Sequence, residues 1–250
     1  MYHFPVLDCH AHVAPDVTSS QVRTLSGALV FAMTRSVDEF DAAVTNPQDG
    51  LLWGIGTHPG VPAALTEWSA ERFHRSAKDT ILIGEVGLDR GGNGQVQARV
   101  LEGVLRTPTP ALTSIHSTGR TRQVIELIER NPRPGVILHW FAGDREDIER
   151  ATAAGCYFSI NAAMTDEQMT ALPLDRILPE TDFPSARSRT KARTPGDIRA
   201  LEHSVVRLTR QTPDEVRRRW YENLGALVAS ADVANRLPRL MGEAIEAAQT

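Results

Sequence analysis

The chain has 250 residues, 41% hydrophobic and 23% charged, an ordinary globular balance that excludes disorder, collagen and coiled coil. That length suits one α/β barrel, and the longest unbroken apolar run, residues 28–33, is too short to span a membrane. A formal net charge of −4 excludes coating of nucleic acid through bulk charge and leaves room for a local basic groove.

In chain order, eight short apolar runs bounded by Gly, Pro or Asp read as strands, at 6–10, 28–33, 51–57, 81–85, 112–116, 136–139, 156–160 and 176–180. Amphipathic stretches at 95–105, 118–130 and 145–154 read as helices between them; in the second, Val124, Leu127 and Ile128 share one face. Strands alternating with helices predict a closed parallel barrel or an open doubly wound sheet, and strand count and length favour a TIM-type (β/α)8 barrel. Beyond it, 195–210 reads as a helix, and Thr212-Pro213-Asp214-Glu215 starts another that runs to about 229. A last, weaker helix is expected over 231–249. The absence of repeats and linkers predicts one domain over 1–250, with the barrel over about 5–230 and a helical tail over 231–250. No basic segment followed by an apolar stretch opens the chain, and two cysteines, Cys9 and Cys156, suit a reducing compartment; a cytoplasmic location is expected.

Titratable residues fall where barrel enzymes build active sites, at the C-terminal ends of the strands. The first strand runs into Asp8-Cys9-His10-Ala11-His12, where alternation places Asp8, His10 and His12 on one face. The others deliver Glu85, His116, His139 and the Glu180-Thr181-Asp182 triplet, each directly after an apolar run. A buried, unpaired charge there costs several kcal/mol or so, and a metal explains so many of them together. Four imidazoles and two carboxylates suit Zn, Mn, Fe or Co. They exceed the needs of one tetrahedral zinc, so two ions with Glu85 as the bridge is the economical reading. Only two of the 27 basic residues are lysines, Lys78 and Lys191, and neither is placed at a strand mouth to bridge the ions as a carbamate.

The segments DCHAH (8–12), GTHPG (56–60), IGEVGLDR (83–90), IHS (115–117), ILHWFAGD (137–144), PETDFP (179–184) and YENLGALV (221–228) resemble, in this order, the TatD family of metal-dependent deoxyribonucleases within the amidohydrolase-like barrels. The resemblance implies that His10, His12 and Asp182 hold one metal, His116 and His139 the second, and Glu85 both. Asp182 would also orient or deprotonate the attacking water. The implied activity is hydrolysis of DNA phosphodiester bonds by a two-metal-activated water, as a 3'-5' exonuclease on single-stranded ends, with Zn, Mn or Mg.

Substrate contacts are placed around this set. His58 matches a family position near the phosphate, and a capped turn histidine before Pro59 is the plain alternative. Asp89 is suited to orient a neighbour and Arg90 to meet a phosphate. Arg187, Arg189, Lys191 and Arg193 form a basic run just past Asp182, where Arg187, Arg189 and Arg193 are expected to contact phosphate. Trp140 fits stacking on a base and ordinary packing equally. The 91–94 glycine-rich loop, the Phe183 after Asp182 and the position of Arg120 depart from the family pattern. They leave open hydrolysis of another ester or amide, such as a small phosphodiester, lactone or aminoacyl ester; the resemblance also leaves open an accessory role in a nucleic-acid-processing complex, since TatD-like proteins occur as components of multi-protein systems. No membrane partner is expected.

Overall fold

Strands that are apolar on both faces must be covered on both, and parallel β/α units do this. The computed structural model describes residues 3–25 and 27–250. It contains β1 (Leu7–His12), β2 (Leu29–Met33), β3 (Leu51–Gly54), β4 (Leu82–Gly87), β5 (Leu112–His116), β6 (Val136–Leu138), β7 (Tyr157–Ile160) and β8 (Ile177–Pro179). All neighbouring pairs are parallel, in the orders β1-β2-β3 and β4 through β8. Backbone hydrogen bonds close both seams. Ile55 donates to Leu82 (3.0 Å) and Gly84 to Ile55 (2.8 Å); at the other seam Asp182 donates to His10 (2.9 Å) and His12 to Phe183 (2.7 Å). The result is a single-domain TIM-type barrel.

Around it lie α1 (Ser19–Arg23), α2 (Val37–Val44), α3 (Pro62–Thr66), α4 (Ala70–Ser76), α5 (Gly94–Leu105), α6 (Thr121–Arg130), α7 (Arg145–Ala153), α8 (Asp166–Thr170), α9 (Arg187–Thr190), α10 (Arg199–Thr209), α11 (Pro213–Ser230) and α12 (Arg239–Ala248). Local chemistry sets several starts. Asp144 with Asp147, Thr165 with Gln168 and Thr212 with Glu215 form capping boxes, and Pro213 occupies the first turn of α11. Asn223 on α11 donates to the carbonyls of Leu174 (3.0 Å) and Ile177 (2.8 Å), fixing the start of β8.

Three expectations shift. The helix expected over 195–210 begins at Arg199, because Gly196 adopts φ +78° and gives its N–H to Asp8 (2.8 Å). The helix expected over 231–249 is a single 3-10 turn, Ala234–Arg236, followed by α12, because Pro238 halts the chain between them. The third concerns strand alternation. Register shifts between Asp8 and Ala11, and between Ile83 and Val86, interrupt it in β1 and β4, as bulges at barrel rims do. Asp8 therefore leaves the histidine cluster and accepts from Thr181 N (2.9 Å), Thr181 Oγ1 (2.7 Å) and Gly196 N (2.8 Å).

Cys9 and Cys156 are buried and free. Among the described residues no helix is long and apolar enough to cross a membrane.

Gly87 is where β4 approaches β5 too closely for a side chain. Its φ is +144°, and a Cβ there would lie 2.0 Å from the His116 carbonyl oxygen. Gly87→Ala is expected to cost about 3 kcal/mol or more through strain and overpacking, and to move His116. A denaturation midpoint equal to wild type would contradict this.

Candidate active site

The carboxylate of Glu85, on β4 and 1% exposed, is the centre of five imidazoles. Its Oε1 lies 2.6 Å from His116 Nδ1 and 3.1 Å from His139 Nε2. Its Oε2 lies 3.0 Å from His12 Nε2, 3.2 Å from His58 Nε2 and 3.6 Å from His10 Nε2. Asp182, just past β8, brings Oδ1 to 3.9 Å from His10 Nε2. The structure thus gathers all six sequence-predicted ligands at one barrel end and adds His58 to them.

In three of the five rings a hydrogen bond at the second nitrogen shows which atom faces inward. His116 gives its Nε2 side to Asp89 Oδ2 (2.9 Å), and His10 Nδ1 meets Ser114 Oγ (2.8 Å). His139 Nδ1 has Glu180 Oε2 at 3.6 Å; Glu180 in turn accepts from Asn161 (2.8 Å) and from Ser159 Oγ. His58 differs. Its Nδ1 accepts the Gly60 N–H (2.9 Å), so in the neutral ring Nε2 carries the proton and is a donor rather than a lone pair.

Charge is distributed unevenly. Burial raises the Glu85 carboxyl, but His139, His10, His116 and His12 together hold it well below the usual range. Burial lowers His139, yet Glu85 and Glu180 push it well above that of a free imidazole. Burial and His139 lower His10 to about 4. Burial raises Asp182 to about 7 against the pull of His139.

This donor set fits a metal. His10 Nε2 and Glu85 Oε2 are buried without a hydrogen-bond partner, and inward imidazole nitrogens face a shared carboxylate. His10, His12 and Asp182, and also His10, Glu85 and His139, bring ligand atoms within 4.8 Å of one another. His12, His58 and Glu85 meet the same distance, but the tautomer of His58 sets it apart as a donor.

The expected substrate contacts are spread unequally. Arg189 lies over the Trp140 ring (5.4 Å to its centroid) and Arg187 over Phe183 (5.7 Å), two arginine–aromatic pairs whose aromatic members directly follow His139 and Asp182. Lys191 Nζ donates to Ser188 O (2.7 Å), and Arg193 pairs with Asp197 (3.3 Å). Arg90 is exposed beyond β4, its N–H bound to Thr118 O (2.9 Å).

Sequence reasoning missed the polar residues behind the ligands. Ser114 and Ser159 are polar positions inside buried strands, and Asn161 directly follows β7; polarity in an apolar run was the available signal. Gln97 is fully buried on α5 and had no such signal. It donates to the carbonyls of Pro59 (3.0 Å) and Gly91 (2.8 Å) and accepts from Asp89 N (3.2 Å), joining the His58 and Asp89 loops.

The family model of TatD related DNases matches residues 7–228. A 3'-5' ssDNA/RNA exonuclease TatD from Citrobacter koseri is 25% identical over 188 residues, 68% of this chain and 68% of that enzyme. The enzyme of that name from Escherichia fergusonii is 27% identical over 160 residues, 58% of each. The crystal structure of a TatD homologue from Escherichia coli matches with a TM-score of 0.76 at 20% identity, over 88% of this chain and 96% of that one, a likeness of fold. With the family's model running through the whole barrel and the strand-end histidines and carboxylates gathered at its mouth, the chain belongs to the TatD family.

Proposed function

We propose that this chain is a metal-dependent hydrolase that cleaves phosphodiester bonds of nucleic acid, as a 3'-5' exonuclease on single-stranded DNA ends. The observation that carries this reading is the single buried carboxylate of Glu85 facing His116 and His139 with one oxygen and His10, His12 and His58 with the other.

Two divalent ions would be held, one by His10, His12 and Asp182, the other by His116 and His139, with Glu85 common to both. Imidazole-rich ligation favours Zn or Mn over Mg. When bound, such ions acidify water and neutralise charge on a phosphoryl oxygen. The protein's own groups do the rest. Asp182 is placed to take the proton of the attacking water. The Nε2–H of His58 is placed to donate to a phosphoryl oxygen. Trp140 offers a face to a terminal base, and Arg187 and Arg189, each resting on a ring, offer guanidinium groups to the phosphates behind it. Arg90, exposed beyond β4, and Arg193, once released from Asp197, add positive charge at the rim.

Incubation of a 5'-labelled single strand with protein loaded with Mn or Zn is expected to give a ladder shortened from the 3' end. An intact strand under every metal tested, with hydrolysis of a small ester instead, would overturn the reading.

Metal loading is also expected to release protons, because His139 and Asp182 are held above their usual values in the metal-free site and must be unprotonated to act as ligands. Apparent affinity should therefore fall as pH drops below about 7, the value to which Asp182 is raised. Adding Zn to weakly buffered protein near that pH should acidify the solution, and no acidification would contradict the assignment.

A further inference from the structure

We propose that Asp89 is a positioning residue for His116 and makes the Glu85, His116 and His139 half of the site its tighter metal half. This rests on the two-ion reading above.

Asp89 lies two residues past the end of β4, at the rim. Its Oδ2 sits 2.9 Å from His116 Nε2. A carboxylate has no hydrogen to give, so Nε2 carries the proton and the lone pair stays on Nδ1, the atom facing Glu85 Oε1 (2.6 Å) and His139 Nε2 (3.1 Å). Asp89 is itself fixed from behind. Its Oδ1 accepts the Gly91 N–H (2.7 Å), and Gln97 ties Asp89 N to the Gly91 and Pro59 carbonyls. The orientation of the carboxylate is therefore set by the 89–91 turn before any ligand arrives.

The other half has no such support. His10 is backed by the Ser114 hydroxyl, and His12 Nδ1 is buried without a partner. On the His116 side, the Glu180 carboxylate also faces His139 Nδ1, at 3.6 Å and without a hydrogen bond. A carboxylate is thus hydrogen-bonded behind His116 and another lies near His139, whereas neither imidazole of the other half has one. A carboxylate behind a ligating imidazole fixes its ring and raises its basicity, and losing one typically costs 10–100-fold in metal affinity.

The two oxygens of Asp89 give the test a signature. Both accept hydrogens, one from a backbone N–H that cannot change. Asparagine must keep its oxygen on Gly91 and turn its NH2 to His116, which drives the imidazole proton onto Nδ1, the inward atom. Alanine merely leaves Nε2–H to water. Asp89→Asn, the closer isostere, is therefore expected to be worse than Asp89→Ala, the reverse of what a purely structural role gives.

Titration of metal-free protein with Co2+, followed by calorimetry and visible absorption, should show two unequal steps in wild type. The first step is expected to weaken about 10-fold in Asp89→Ala and about 100-fold in Asp89→Asn, with an altered first-step spectrum and an unchanged second step. Thermal melts of the metal-free variants, which should match wild type, separate this from misfolding. An unchanged first step in both variants, equal weakening of both steps, or a milder effect of asparagine than of alanine would overturn the proposal while leaving the two-ion site intact. Failure of wild type to bind Co2+ would overturn the two-ion reading itself.

Discussion

Glu85→Gln is expected to reduce bound metal from two equivalents to one at most and to lower kcat/KM by about 10^4-fold, roughly 5–6 kcal/mol of transition-state stabilisation. The reason is the division of labour between its oxygens: Oε1 faces His116 and His139, while Oε2 faces His10, His12 and His58. Glutamine keeps an oxygen for one half and turns an NH2 group toward the other, where it repels a cation. No neighbour replaces the lost charge, since Asp182 reaches only the His10 side, at 3.9 Å, and Glu180 is occupied by Ser159, Asn161 and His139. Lysine cannot substitute as a bridge, because Lys191 is turned to Ser188 and Lys78 lies in the turn before β4. Elemental analysis of protein purified without chelator reads the stoichiometry directly. Two equivalents retained in Glu85→Gln would remove Glu85 from the centre of the site.

How much of this was legible in the sequence depends on how local each cause is. The stretch 112–116 is a strand by composition alone, and α5 and α7 fall within a residue of their expected ends because their caps lie beside them. The gathering of these histidines and carboxylates was legible for a topological reason: a titratable residue after an apolar strand of a parallel barrel has nowhere to go but the mouth. Of the supports behind them only Asp89 was legible, as a residue suited to orient a neighbour; the others were not. The Asp8–Thr181 bonds join residues 173 positions apart, and the Glu180–Asn161 bond joins two different strand ends. The basic run past Asp182 shows the opposite limit. Its composition suggests one phosphate-binding patch, yet packing sends Arg187 to Phe183, Arg189 to Trp140, Lys191 to Ser188 and Arg193 to Asp197. Helices such as α3 and α8, five residues each, are too short to display a period at all.

Asp182→Asn is expected to remove the proton acceptor while keeping the fold. The residue adopts φ +50°, a left-handed conformation that asparagine tolerates well, and its N–H is bound to His10 O at 2.9 Å. The substitution should therefore keep the backbone, and with it the thermal midpoint of the metal-free protein. What it removes is a carboxylate that can accept a proton. General-base loss of this kind costs about 10^2–10^4-fold in kcat, and a value near 10^3 is expected here, with KM changed only a few-fold. The pH profile carries the sign. Burial raises Asp182 to about 7 in the metal-free site, and a neighbouring dication stabilises the ionised form, so the loaded enzyme should lose activity as pH falls through a value below that. Asparagine has no proton to gain over this range, so its residual activity should lack that acid limb. A variant that keeps more than a tenth of wild-type kcat, or that keeps the same acid limb, would move the role of base to another group. The ionised carboxylate is also the one member of the His10, His12 and Asp182 set that carries a negative charge, so a metal held on that side would bind more weakly in the variant while one held by His116 and His139 would stay.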